Sequence, residues 1–339
     1  MTTARVSSPQ VLCVGELLWD CLADQAGLPI EAIEAWTLYP GGAPANVACA
    51  LSRLGVPAGF IGSVGTDSTG RELLDCLQQA GVNCEGVQHH PTAPTRQVCV
   101  LRDNRGDRQF AAFRSVGRIT SDPRNFADTH LQASLLHPQQ FTQADYLVLG
   151  TLALAYPDSS AAIRQALDLA DDNYLKIVLD LNWRPVFWPD PSIARGTIAP
   201  LLDRVDFLKL ASEEAEWLFG TAEPATIADK LDHLEAVIVT DGDRGCDYII
   251  GDRTGFVPAF SVPTVDTTGA GDAFVAAFVA QLCERGLSSF GNPLVARYAV
   301  AFASAAGALT TTQPGAIDAL PDRAAIELLL AQEGWSSPL

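Results

Sequence analysis

Short apolar runs recur along the chain, each closed by a glycine or a polar residue and followed by room for a helix. The runs at 11–15, 60–65, 146–150, 176–180, 205–210 and 236–240 are near-continuous rather than alternating, as in strands buried on both faces. Between them the apolar positions shift to helical spacing. Val47, Ala50, Leu51 and Leu54 share one face before Gly55 stops the helix, and 158–171 forms another helix. Strand and helix therefore alternate, which predicts an α/β fold: a doubly wound, mostly parallel sheet flanked by helices. Two stretches depart from the pattern. Residues 21–40 read as irregular, with no helix of their own. Residues 97–102 and 108–114 flank the turn-rich 104–107 and read as a β-hairpin, a small β lid over a site. The chain ends with short strands at 246–250 and 255–260 and helices at 294–309 and 322–332.

Two of the predicted helix starts are led by glycines. In Pro40-Gly-Gly-Ala-Pro-Ala-Asn46, Gly41 and Gly42 open the backbone to something bulky, and Asn46 offers donor and acceptor to a polyol. A glycine turn with Asn46 as a helix cap is the plainer alternative. In Asp266-Thr-Thr-Gly-Ala-Gly-Asp272, Gly269 and Gly271 allow close approach, and the free amides of a helix N-terminus favour an anion. Asp272 beside such a site is either a cap or a base, and the stretch alone leaves both open. Asp20 is placed just past the first strand, where open α/β sheets gather ligand contacts. Asp180, Asn182 and Arg184 alternate, so an extended segment would aim all three to one side. Arg108 and Arg114 project from the hairpin, within reach of a polar ligand. Gly65-Thr-Asp-Ser-Thr-Gly70 has the glycine spacing of a phosphate-binding loop, but Arg71-Glu72 stands where Lys-Ser/Thr is required, and that reading is rejected.

Composition narrows the partners. The formal charge of −18 argues against nucleic acid and against an anionic membrane, while a local phosphate site remains possible. No apolar run approaches the ~18 residues of a membrane span. Residues 1–10 lack the apolar core of a signal peptide and read as a flexible tail ahead of a single domain at 11–335. The eight cysteines include no C-x-x-C pair, and the five histidines show no ligand spacing, which suggests reduced thiols and a cytoplasmic setting.

The segments Gly41-Gly-Ala-Pro-Ala-Asn46-Val-Ala and Asp266-Thr-Thr-Gly-Ala-Gly-Asp272-Ala-Phe, in this order and separation, resemble the PfkB-type, ribokinase-like sugar kinases. The resemblance runs from about 11 to 320 and implies an ATP-dependent phosphotransfer to a sugar hydroxyl. It implies that Asp272 is the general base and that the amides of Gly269, Ala270 and Gly271 form an anion hole. Asp20, Gly41, Gly42 and Asn46 would hold the sugar, with Arg108 and Arg184 as further contacts. Thr240, Gly242 and Gly245 would border ATP. Asp266, Thr268, Thr310 and Gly315 match positions around a monovalent cation, potassium, in relatives that use one. The family's Asn-x-x-Glu motif reads Ala211-Ser-Glu-Glu214 here, so Mg²⁺ handling would rest on Glu214 through water, without the Asn. Asp180-Leu-Asn-Trp-Arg-Pro-Val-Phe-Trp188 is similar to a segment of fructokinases and 2-keto-3-deoxygluconate kinases, and the 107–114 hairpin is more similar to fructokinases. The implied substrate is fructose, phosphorylated on its terminal hydroxyl to fructose 6-phosphate. The alternatives are 2-keto-3-deoxygluconate, another sugar or a nucleoside, or a catalytically silent sugar- or nucleotide-binding relative. The lid, at about 20–40 and 92–116, often pairs subunits in relatives, which implies a homodimer.

Overall fold

The structure, a computed structural model, describes residues 8–102, 108–115 and 118–338. Among these, nine strands form the central sheet: β1 (Val11–Val14), β4 (Ala58–Gly65), β5 (Asn83–His90), β9 (Tyr146–Leu149), β10 (Lys176–Asp180), β11 (Phe207–Ala211), β12 (Ala236–Thr240), β13 (Gly245–Ile250) and β14 (Arg253–Pro258). Five form a second sheet: β2 (Leu18–Ala23), β3 (Trp36–Gly41), β6 (Gln97–Arg102), β7 (Arg108–Ser115) and β8 (Arg118–Thr120).

The central sheet runs β14-β13-β12-β11-β10-β9-β1-β4-β5, parallel from β12 to β5, with β13 and β14 added as an antiparallel edge. Strand side chains alternate between two cores. Val11 and Cys13 pack with α1 (Ala43–Arg53), α2 (Ser68–Gln79), α8 (Ala270–Arg285), α9 (Pro293–Thr310) and α10 (Arg323–Gln332). Leu12 and Val14 face α3 (Pro138–Phe141), α4 (Pro157–Asp172), α5 (Ala194–Leu202), α6 (Ser212–Phe219) and α7 (Pro224–Ala228). Burial on both faces explains the continuous apolar runs. α9 has the length and mean hydropathy of a membrane span, 1.2, but most of it is buried inside this core.

Strand order reverses at β1, between β9 and β4, which opens a crevice beyond the C-terminal strand ends. The second sheet is built from segments that leave the main alternation, ordered β3-β2-β6-β7-β8.

Several sequence expectations change here. Residues 21–40 are not wholly irregular, because β2 and β3 pair antiparallel with Asp20 opposite Tyr39. Asp20 therefore lies within a strand of the second sheet rather than beyond the end of β1. The chain turns at Asn182, whose φ of 38° is left-handed, so 180–184 is not extended and the three-residue alternation fails. Helix α5 and strand β8 were not anticipated. Gln10, assigned to the tail, already bonds the domain through Pro57 O at 2.8 Å and Asp145 at 2.9 Å. The rest of the tail, 1–7, and the hairpin turn at 104–107 lie outside the described residues.

Candidate active site

Two helix N-termini meet at the crevice, and glycine is required at both. Gly42 precedes α1 with φ 107°, and a β-carbon there would sit 2.4 Å from the Glu16 carbonyl oxygen. Gly269 precedes α8 with φ 77°, and a β-carbon would sit 2.7 Å from that of Ala316. Gly41 is bare for another reason: its missing β-carbon would lie 2.5 Å from Asp20 Oδ2. Asp20, Gly41 and Gly42 thus converge on one corner, between the second sheet and the start of α1.

Asp272 is the third residue of α8, inside the helix and so not its N-cap, which is Gly269. Instead Asn46 Nδ2 donates to Asp272 Oδ2 at 2.7 Å, joining residues 226 positions apart in the chain. Asn46 is in the second turn of α1, so it is not a cap either. Its Oδ1 is buried without a hydrogen-bond partner, an acceptor left over for a ligand hydroxyl. Burial pushes the Asp272 carboxyl up to about 6; the Asn46 bond lowers it, Asp180 raises it, and Lys209 and Arg184 lower it. A carboxylate poised near neutrality, bound across the cleft and not to its own helix, has the character of a base.

Behind Gly271 lies a residue that sequence reasoning missed. Lys209, on β11, is buried, and its Nζ donates to Asp180 Oδ1 at 3.1 Å and Oδ2 at 3.3 Å. That ammonium lies 3.0 Å from where a Gly271 β-carbon would be. Burial works against its charge, but Asp180, Glu214 and Asp272 outweigh burial and hold it above the usual lysine range. No local signal marks a lysine inside an apolar strand as part of a site. Glu16 was missed too. Its Oε1 accepts from the Ala43 amide at 2.9 Å, tying the start of α1 to the end of β1, and burial pushes its carboxyl up to about 7.

Of the predicted anion hole, Gly271 lies in the first turn of α8, where helix amides lack an intrahelical partner. The Ala270 amide makes a long turn bond to Thr267 O at 3.3 Å. A cavity of about 580 Å³ adjoins them, lined by Thr240, Gly242, Gly245, Ala270, Gly271 and Ser304 among others. All three predicted nucleotide-side residues are therefore on its wall.

Glu214 is buried. Its Oε2 accepts from the Ala211 amide and its Oε1 from the Trp183 amide, each at 2.8 Å, and Arg184 lies 3.6 Å away. Burial, then Asp180, raises its carboxyl. Asp266 Oδ1 accepts from the Thr268 amide and hydroxyl, and Oδ2 from the Gly315 amide at 2.8 Å, gathering three of the four predicted cation-site residues. Thr310 is buried close by in sequence to Thr311, but its hydroxyl donates to Ala306 O within α9. Arg114 donates to Gln97 Oε1 at 2.8 Å, so it is held within the second sheet rather than offered to a ligand. The side chain of Arg108 falls outside the described residues. The rejected loop at 65–70 has a structural role: Asp67 caps α2 through Gly70 N and receives Thr95 N and Oγ1.

This geometry has counterparts. The model of the pfkB family carbohydrate kinases matches residues 8–323. Fructokinase-2 of Oryza sativa subsp. japonica is 36% identical over 325 residues, covering 95% of this chain and 94% of that protein. The crystal structure of a fructokinase with bound ATP from Xylella fastidiosa superposes with a TM-score of 0.85 at 28% identity, covering 96% of this chain and 98% of the other. A double-mutant fructokinase from Vibrio cholerae O395, bound to fructose, ADP and potassium, gives 0.81 at 29% identity, covering 96% of this chain and 100% of that one. With the glycine-led start of α8 on the wall of a nucleotide-sized cavity and the glycine-led start of α1 joined to it through Asn46 and Asp272, the chain belongs to the pfkB family of carbohydrate kinases.

Proposed function

We propose that this kinase transfers the terminal phosphoryl group of ATP to the 6-hydroxyl of D-fructose. The observation that carries the reading is the Asn46–Asp272 bond of 2.7 Å, which turns a buried carboxylate away from its own helix and toward the crevice. The sugar lies against Asp20, Gly41, Gly42 and Asn46, beneath the second sheet, which acts as a lid. ATP occupies the cavity walled by Thr240, Gly242 and Gly245. As the hydroxyl oxygen bonds the terminal phosphorus, its proton passes to Asp272, and the bridging oxygen leaves with ADP. The amides at the head of α8, Gly269 to Gly271, meet the charge on the equatorial phosphoryl oxygens.

Among the described residues no cluster of three or more His, Cys, Asp or Glu could hold a metal ion, so Mg²⁺ would enter with the nucleotide phosphates. Glu214 fits an outer role: each oxygen accepts one backbone amide and keeps a lone pair for a metal-bound water. When bound, the ion supplies charge neutralisation at the phosphates. The Asp266, Thr268 and Gly315 corner is the place for a potassium ion beside α8, with Thr310 adjoining.

An acidic sugar would need a free cation. Among the described side chains, Arg184 is engaged with Glu214 and Arg114 with Gln97, which favours neutral fructose over 2-keto-3-deoxygluconate. We place the enzyme in the cytoplasm, consistent with eight free thiols, and as a homodimer through the second sheet. Light scattering at micromolar concentration reads the latter. The deciding experiment is ADP release with fructose, 2-keto-3-deoxygluconate, ribose and a nucleoside. Fructose should give the highest kcat/KM. A tenfold preference for another acceptor would replace the substrate, and binding without turnover would make the chain a sensor.

A further inference from the structure

The crevice holds more buried negative charge than a base can tolerate alone. Asp272, Asp180 and Glu214 are each at most 9% exposed, and the fields of Asp180 and Glu214 both reach Lys209. Carboxylates this close cannot all ionise without a countercharge, because each raises the proton affinity of the others. Lys209 is the buried cation among them, with side-chain exposure of 11%, bonded to both oxygens of Asp180. It comes so close beneath Gly271 that a β-carbon at 271 would meet Nζ at 3.0 Å, closer than ordinary van der Waals contact. The absence of a side chain at 271 is thus explained on the sheet side as well as on the ligand side. The ammonium also stands at the N-terminal end of α8, where it adds to the positive end of the helix dipole.

We propose that Lys209 is a positioning residue for phosphoryl transfer: clamped on Asp180 beneath Gly271, its ammonium is the countercharge that keeps the Asp272 carboxylate available as a base. The proposal rests on Asp272 acting as the base. The other groups facing Asp272 are Asn46 from α1, which is neutral, Asp180 from the end of β10, and Arg184 from the loop that follows. Glu16, at the end of β1, lies within its field, and Glu214 from α6 lies within that of Lys209. Arg184 is more than half exposed and pairs with Glu214, so water screens it. Lys209 is not screened in this way.

Charge opposition gives the test a sign that a merely structural role would not reproduce. The pH profile of kcat with fructose and MgATP should fall on its acid side as the base is protonated. Lys209→Met removes the countercharge and should move that limb to higher pH by about one unit, from about 6 to about 7, so activity at pH 6.5 falls to about a quarter of that at pH 8.5. Asp180→Asn removes the opposing charge and should move the limb to lower pH. Should Lys209→Met fail to fold, Asp180→Asn carries the test, since its amide oxygen still accepts from the ammonium. A limb unmoved in both variants, or moved the same way in both, overturns the proposal, and so does an unmoved or raised limb in Asp180→Asn alone. Asp272→Asn separates the two readings. If it retains turnover, the base assignment fails; if it is inactive while the limbs stay put, only the role of Lys209 fails.

Discussion

The Asp272 carboxyl sits at about 6 because burial raises it further than Asn46, Lys209 and Arg184 lower it. Its proton is therefore held more tightly in the folded chain than in the unfolded one. Stability from this group is fully present below about pH 4 and is lost as pH rises through about 6. At neutral pH the charged carboxylate is a cost of at most about 3 kcal/mol. Asp272→Asn should then lose about 10²–10⁴-fold in kcat while binding fructose and ATP. The same variant should melt a few degrees higher than the parent at pH 8, and the difference should vanish toward pH 4. A variant that melts lower at pH 8 would mean the carboxylate is stabilising and the burial argument wrong. Asp272 was legible in the sequence because a carboxylate beside two glycines at a helix start is chemically odd. Lys209 was not, since its neighbours Phe207, Leu208 and Leu210 announce only a strand. Its meaning comes from β10 and α8, which the chain brings against it from 29 and more residues away.

Helix α1 brings Asn46 to Asp272, and its entry angle is set by a bare backbone. At Gly42 the chain combines φ 107° with a 2.4 Å approach to the Glu16 carbonyl, while Glu16 Oε1 takes the Ala43 amide. Gly42→Ala must strain the turn or push α1 outward, at a cost of about 1–3 kcal/mol. A displacement of about 1 Å at Asn46 would cost on the order of 10²-fold in turnover. We expect kcat/KM for fructose to fall by that order while KM for ATP, whose proposed site is the cavity beside β12 and α8, stays within about twofold. Equal losses for both substrates would show that α1 does not act on the sugar side alone. At this scale the sequence predicted best where two faces are buried, as in the strands from β9 to β12. It predicted worst for β2 and β3, where Leu18-Trp-Asp-Cys-Leu-Ala23 and Trp36-Thr-Leu-Tyr-Pro-Gly41 mix polar and apolar residues without strict alternation. It missed α5, whose nine residues include Pro200, a helix breaker in any sequence-based expectation.

The second sheet must hold a fixed relation to α8 if its Asp20 and Gly41 are to meet Asp272, and one buried side chain joins that sheet to the segments on either side of α4. Arg96, just before β6, is 1% exposed. Its Nε donates to both oxygens of Asp128 at 3.1 and 2.9 Å, and its Nη2 donates to Tyr156 Oη at 3.4 Å. The guanidinium lies 4.9 Å from the Phe113 ring of the second sheet and 4.7 and 5.2 Å from Phe126 and Phe187. Its carbonyl accepts from the Trp19 amide at 3.0 Å, one residue from Asp20. No pattern in the chain foretold this, because Arg96 and its partners come from six separate segments, at 19, 96, 113, 126–128, 156 and 187. Arg96→Met leaves Asp128 buried and unpaired, and should cost about 3–5 kcal/mol, read as a lower urea midpoint. Pairing it with Asp128→Asn removes the stranded charge and should recover part of that loss. Function discriminates further. If Arg96 fixes the second sheet over the crevice, the double variant, although restabilised, should still show a raised KM for fructose with KM for ATP little changed. A double variant that regains both stability and the parental KM would mean that the arginine only balances Asp128, and that apolar packing among Phe113, Phe126 and Phe187 suffices to set the two sheets.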